Sequence, residues 1–407
     1  MTHINKINGR ITNQNKEIEI NLQGKNLLIV GGNGSGKTSF LKDIHKTIES
    51  NIIERRDINL KSLKNQVKDL TLRLESPLEA DAVEMLRSEL DFAIAQLNTL
   101  TIPLEIDFND LRKLSNLYDK GLATIRFFFA ERSAAITPVS NVASSLLKAS
   151  DLYNQPKPGI NLEQHLVNLT VRAALSSTSQ SNKITEIKTW IKDLNNNLKY
   201  LFEDDSTILT FDPDQLRYAI SQDGKKPINF QNLSSGYLAI LDIYADLLMH
   251  TEHLQITPAQ LSGIALIDEI DAHLHVSLQR KIFPFLTKSF PNIQFIITTH
   301  SPFVLTSVDN AVIYDLTTNR ECTDLSMYSV EAVLEGLLGV PVISKKFEVM
   351  LTDLSKKTNK EHFDISEAKE AISKISPYVD VLDEESAMYY EIAVNKVLIA
   401  EKNTKYV

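Results

Sequence analysis

GGNGSGKTSF at residues 31–40 sits between the apolar run NLLIV (26–30) and a segment whose Phe40, Leu41, Ile44 and Ile48 recur at helical spacing. The stretch fits the pattern G-x-x-x-x-G-K-[ST], with Gly31, Gly36, Lys37 and Thr38 in the fixed positions. Glycines let such a backbone curl, so that successive N–H groups point inward at phosphate oxygens. The candidate binding set is Gly31, Asn33, Gly34, Ser35, Gly36, Lys37, Thr38 and Ser39. Lys37 is placed to reach the β- and γ-phosphates of a nucleotide, and the Thr38 hydroxyl to help hold Mg²⁺. A buried strand before the loop and a helix after it supply the context, because the helix N-terminus then faces the anion.

With 407 residues the chain has room for two or three domains. Its 43% hydrophobic and 23% charged content is that of an ordinary globular protein. No apolar run approaches a membrane span, and MTHINKINGR lacks the apolar core of a signal peptide. A single cysteine, Cys322, excludes an internal disulfide and fits a reducing cytoplasm, so a cytoplasmic protein without membrane contact is expected. The net charge of −9 argues against a surface that is basic throughout. Nucleic acid contact then needs a local patch or a partner.

Along the chain, KEIEINL alternates Ile18, Ile20 and Leu22 as a strand before the loop. After the loop helix, Leu60, Leu63, Val67, Leu70 and Leu74 repeat at steps of three and four, as do Val83, Leu86, Leu90, Ala93, Leu97 and Leu100 beyond Pro77. Two heptad runs around a turn predict a short antiparallel coiled-coil hairpin, about 25 Å long at 1.5 Å per residue. The alternative is two amphipathic helices lying on the domain body. IPLEIDF and ATIRFFFAE read as strands, residues 141–204 as a helical insertion, and LRYAISQDGKKPINF as a hairpin turning at Asp223-Gly224. The last ninety residues look mainly helical.

Three distant stretches give the loop a purpose. GIALIDEID is an apolar strand ending in Asp268-Glu269. The first carboxylate suits Mg²⁺ or its waters; the second is placed to orient or deprotonate an attacking water. QFIITTHSPF is another buried strand, ending in His300. In NLSSGYLAILDIYADLLMH, Ser234, Ser235 and Gly236 open a helix and form a second anion-binding element. DAHLHVSLQR also offers a zinc reading through His273 and His275 near Asp268.

In this order the motifs resemble the ABC-type ATPases, specifically the branch holding SMC-like repair ATPases, RecF and the OLD family. GGNGSGKT matches Walker A, LSSGY the signature, IALIDEID Walker B with the catalytic glutamate, DAHLH the D-loop and TTHS the switch histidine. The resemblance implies an α/β P-loop head and a head-to-tail homodimer or higher oligomer around ATP and Mg²⁺. Thr38 and Asp268 would serve the metal, Glu269 and His300 the chemistry. Ser234 to Gly236 of one chain would clasp the γ-phosphate held by Lys37 and Thr38 of the other, with Asp271 at the seam. Two departures stand out. Ser235 and Tyr237 replace the usual Gly and Gln of the signature, and the strand expected to carry the Q-loop glutamine reads RFFFAERSA, with Glu131 and Arg132 there.

The expected organisation is an N-terminal head lobe (1–57), the hairpin (58–101), further head (102–140), the helical subdomain (141–204), head again (205–318) and a helical C-terminal region (319–407). A Toprim nuclease would need a D-x-D pair, and Asp380 and Asp383 have the wrong spacing. A short hairpin with a tail reading YSVEAVLEGLLGVPVIS is most similar to the ATPase of Septu-type antiviral systems, with relatives in retrons. That resemblance implies a separately encoded HNH-type effector nuclease. The apolar face of Val330, Val333, Leu334, Leu337 and Leu338 makes the tail the expected place for that partner to dock. The alternatives are a defence ATPase paired with a Toprim effector, or a RecF- or SMC-like repair ATPase. Lys61, Lys64, Lys68 and Arg73 make the hairpin a candidate contact for nucleic acid, including retron RNA or DNA.

Overall fold

Residues 262–267, 293–298 and 311–315 are buried at every position, as strands covered on both faces of a parallel sheet are. That sheet organises the head. The computed structural model describes residues 3–11, 16–75, 80–99, 104–132, 136–139, 158–175, 181–254, 256–340, 344–358, 363–382 and 384–404. Pro77, Leu100, residues 141–157 of the expected insertion and Asp383 lie outside them.

In chain order the elements are β1 (Ile4–Arg10), β2 (Glu17–Asn21), β3 (Asn26–Val30), α1 (Lys37–Ile52), α2 (Arg56–Leu74), α3 (Ala80–Thr99), β4 (Leu104–Phe108), α4 (Leu111–Asp119) and β5 (Ala123–Phe128). Then come α5 (Leu162–Leu175), α6 (Ser181–Phe202), β6 (Ile208–Asp212), β7 (Arg217–Ser221), β8 (Ile228–Asn229) and α7 (Ser235–Leu254). The head closes with β9 (Ser262–Ile267), α8 (Val276–Ser289), β10 (Ile293–Thr298), α9 (Pro302–Leu305), β11 (Ala311–Asp315) and β12 (Arg320–Thr323). α10 (Val330–Gly336), α11 (Lys345–Thr358), α12 (Ile365–Ile375) and α13 (Glu384–Thr404) follow.

The large sheet has the order β12-β11-β3-β10-β9-β5. All neighbours are parallel except β12, which runs antiparallel to β11. A second, antiparallel sheet has the order β2-β1-β4. Ile18 and Ile20 of β2 alternate inward as their spacing predicts. α1 lies in the core between these layers, with Phe40, Leu41, Ile44 and Ile48 fully buried beside Leu27, Ile29 and Ile7. A three-stranded meander, β6-β7-β8, contains the turn around Asp223-Gly224, where Gly224 has φ 71°. α4 was not legible in the residue pattern; Asp110 caps it by accepting from the Lys113 amide at 2.9 Å.

α2 and α3 pack along a seam of Val67, Leu70, Leu74, Leu86, Leu90 and Ala93, the positions the heptads mark. The chain forms two compact units, Met1–Val330 and Glu331–Val407. Pattern alone starts the tail at 319, whereas Arg320–Thr323 extends the head's sheet, pairing Val312 with Thr323 and Asp315 with Arg320. The second unit is helical, with a core of Leu354, Ala371, Ile375 and Ala393.

Candidate active site

β3 delivers the loop at 31–36 to the start of α1. Gly36 stands at the helix N-cap with φ 86°, a left-handed conformation that a side chain would strain. Asn33 and Gly34 are exposed at the tip, Ser35 is half-buried and Ser39 is exposed on the first turn. Lys37 is buried, and its Nζ donates to the carbonyls of Gly31 at 2.8 Å and Gly32 at 3.1 Å, drawing the ammonium across the loop. Burial pushes its pKa below the ordinary lysine value, while Glu269, Asp268 and Asp271 pull the other way. From the end of β11, Thr317 Oγ1 accepts from the Gly32 amide at 2.9 Å and so ties the loop to the sheet.

Register places the carboxylates. β10 lies between β3 and β9, pairing Thr298 with Ile29 and Ile297 with Ile267. Thr298 therefore ends beside Asp268 and within one residue step of the loop strand. Thr38 Oγ1 donates to Asp268 Oδ2 at 2.9 Å, and Thr298 Oγ1 donates to Asp268 Oδ1 at 2.6 Å. Thr298 Oγ1 also accepts from the Glu269 amide at 2.7 Å. A continuous hydrogen-bonded chain thus runs Thr38–Asp268–Thr298–Glu269. Glu269 itself has φ 46°, a backbone state costing a non-glycine residue about 1 kcal/mol or more and typical of functional sites. Arg132 Nη2 donates to the Glu269 carbonyl.

Asp271 is held within its own chain: Oδ1 accepts from the Thr299 hydroxyl and from the His300 amide at 3.4 Å. His300 is half-buried just past β10. Burial, reinforced by the Lys37 ammonium, moves its pKa below the ordinary histidine value, which favours the neutral ring at neutral pH. Ser301 Oγ donates to Gln279 Oε1 at 2.6 Å, and Gln279 donates to the Leu274 carbonyl at 2.9 Å, so the switch segment and the 271–275 loop are braced together.

The signature residues Ser234, Ser235 and Gly236 open α7. A Cβ on Gly236 would come within 3.2 Å of the His273 carbonyl and 3.3 Å of Leu278, so this position admits little beyond glycine. Tyr237, the departure from the usual signature, stacks on Phe202 at 4.1 Å between ring centroids and 6° between planes. His275 does not join a metal cluster; its ring caps α8 by accepting from the Ser277 amide. Among the described residues no group of three His, Cys, Asp or Glu could hold a metal.

Thr298, Thr299, Gln279 and Thr317 were not singled out from sequence. The first two stand in TTHS and could have been noticed as hydroxyls at a strand end; Gln279 and Thr317 carry no local signal.

A mainly parallel sheet with a phosphate-loop motif on one strand and paired carboxylates two strands away has the α/β layout of a P-loop fold. The chain belongs to the family described as "AAA domain, putative AbiEii toxin, Type IV TA system", whose model matches residues 87–306. That stretch holds α7, β9 and β10 and begins beyond the phosphate loop. The chain is 25% identical over 343 residues to "Retron Vc95 probable ATPase" of Vibrio cholerae serotype O1 biovar El Tor, covering 69% of this chain and 66% of that one. To "Retron Ec83 probable ATPase" of Escherichia coli it is 38% identical over 120 residues, 29% of this chain and 21% of that one. To "Septu protein PtuA" of Bacillus mycoides (strain KBAB4) it is 24% identical over 302 residues, 72% of this chain and 37% of that one. The chain thus spans 21% to 66% of these relatives' lengths. Among solved structures, an Smc head bound to the C-winged helix domain of ScpA aligns over 80% of this chain and 100% of its own, with TM-score 0.38 and 14% identity. Among the described residues no helix is long and apolar enough to cross a membrane.

Proposed function

We propose that the protein binds and hydrolyses ATP as a head-to-tail dimer of ABC-type heads. We further propose that it regulates a separately encoded HNH-type nuclease in antiphage defence. The observation that carries the first part is the chain Thr38–Asp268–Thr298–Glu269, which joins the phosphate loop to the residue assigned to water. Glu269 acts as general base or orienter, and its fixed amide limits where the carboxylate can swing. Lys37 binds the phosphates, and His300, neutral at neutral pH, is free to accept or donate one hydrogen bond beside them. A hydroxyl and a carboxylate oxygen 2.9 Å apart form an all-oxygen pair suited to Mg²⁺, so Thr38 and Asp268 are the residues that would hold it. Mg²⁺ there supplies charge neutralisation at the phosphates. The signature residues Ser234, Ser235 and Gly236 complete the site of the partner chain.

The defence role rests on the retron and Septu names of the relatives. Docking of the nuclease falls to the C-terminal unit, because α13 leaves Met388, Tyr389, Ile392, Leu398 and Ile399 exposed. The lysine strip on α2 is assigned to nucleic acid or another subunit. The testing experiment is direct. Purified wild-type chain should hydrolyse ATP in a Mg²⁺-dependent manner, and Lys37→Ala should abolish nucleotide binding in a fluorescence titration. Unchanged binding by Lys37→Ala would remove the assignment of the loop.

A further inference from the structure

Where related heads carry a Q-loop glutamine, this chain has Glu131 and Arg132. β5 and β9 stay in parallel register as far as Phe128 and Ile267, and the Asp268 amide donates to the Phe128 carbonyl at 2.9 Å. Residues 129–132 therefore leave the sheet alongside 268–271. Glu131 is exposed, while Arg132 turns inward and donates from Nη2 to the main-chain carbonyl of Glu269.

Glu269 is thereby held at both ends of its strained residue. Its amide donates to Thr298 at 2.7 Å, and its carbonyl accepts from the guanidinium. The negative charges of Asp242 on α7 and of Asp271, Asp268 and Glu269 act on the guanidinium. Its Nε and Nη1 are buried with no hydrogen-bond partner among the described residues. Desolvating a guanidinium and leaving two nitrogens unpartnered is costly, and native proteins keep such groups where a function needs them.

We propose that Arg132 is the positioning residue for Glu269, fixing the main chain that aims its carboxylate at the attacking water in place of the Q-loop glutamine. The inference rests on the hydrolytic reading of Glu269 given above. Arg132 acts on the strand end and not on the phosphate loop, so its loss should lower turnover and spare affinity. Misplacement of a reacting group by about 1 Å is worth roughly a hundredfold in rate.

Arg132→Met should therefore lower kcat by about 10- to 100-fold. The KM for ATP and the titrated nucleotide affinity should stay within about threefold. Arg132→Lys, which restores one N–H donor, should recover most of the loss. Amide exchange over residues 268–272, measured without nucleotide, should be faster in Arg132→Met than in wild type. Wild-type kcat in Arg132→Met, or a raised KM at unchanged kcat, overturns the proposal. If wild type hydrolyses no ATP, the hydrolytic reading fails, and exchange alone decides the clamp: unchanged protection sinks it. Should the methionine variant not fold, Arg132→Lys and Arg132→Gln go through the same measurements. Depressed kcat at unchanged KM supports the clamp, and wild-type kcat in both refutes it.

Discussion

The region around the phosphate loop and the C-terminal unit solve opposite problems with buried groups. Around β9 and β10 the head buries polar side chains and lets them satisfy one another: Asp268 is 3% exposed, and Thr298 and Thr299 are fully covered. In the unit Glu331–Val407 the core is apolar, and the charges pair at the surface, as Lys357 does with Asp353 and Lys374 with Glu370. Surface pairs of this kind carry little stability. Polar groups in a core cost free energy unless each is bonded, so their geometry is narrowly specified. An apolar helical core accepts many sequences. The first region consequently announces its chemistry, and the second announces only that it packs.

The largest effect that sharpens this contrast is all-or-none. Lys37→Ala and Ser234→Arg should each abolish hydrolysis, and mixing the two after subunit exchange should restore it. A mixed dimer has one loop and one facing signature intact. No recovery from folded, exchanging variants would break the head-to-tail arrangement and leave the signature as a structural helix start.

Next in size is a core truncation in the other region. Leu354→Ala should destabilise the C-terminal unit by about 2–5 kcal/mol, as removal of a buried leucine does. Denaturant unfolding followed by probes in each unit would register it. Hydrolysis should stay within about twofold of wild type; a tenfold fall would show that the units are energetically one.

A smaller effect separates the regions by pH. His3, just ahead of β1, accepts at Nε2 from the Gly263 amide at 3.1 Å, and burial lowers its pKa to about 4. The folded head keeps the ring neutral, while the unfolded chain protonates near the ordinary value of 6.5. Stability contributed this way is intact above pH 6.5 and is lost as pH falls toward 4, by about 3 kcal/mol in total. His3→Gln should flatten that stretch of the head's stability profile. Among the described residues of the C-terminal unit the resolved shifts belong to half-buried Lys357 and exposed Glu370, so its acid sensitivity should be the weaker of the two. Equal acid loss in both units would contradict the comparison.

Much of the head could be read directly. The glycine loop, the apolar strands ending in Asp268-Glu269 and His300, and the heptad positions all carry patterns within a few residues, and periodicity or fixed spacing exposes them. The rest depends on register between distant strands. Thr298 could be noticed as a strand-end hydroxyl in TTHS, but that it faces Asp268 follows only from β10 lying between β3 and β9. Arg132 showed in sequence only as a misfit with the family pattern; its bond to the Glu269 carbonyl requires the β5–β9 register. The head's reach to β12 was hidden for the same reason, since RECT is too short and polar to mark a strand without its partner.

The hydrogen-bonded chain from Thr38 to Glu269 is proposed to be a hydrolytic centre in which Glu269 acts on water and not on the nucleotide. It is tested most directly by measuring nucleotide affinity and single-turnover hydrolysis on the same preparation of Glu269→Gln. The glutamine keeps the backbone bond to Thr298 but cannot accept a proton, so affinity should stay within about threefold while hydrolysis falls by roughly 100-fold or more. Hydrolysis by Glu269→Gln at the wild-type rate would contradict the account, whatever its affinity for ATP.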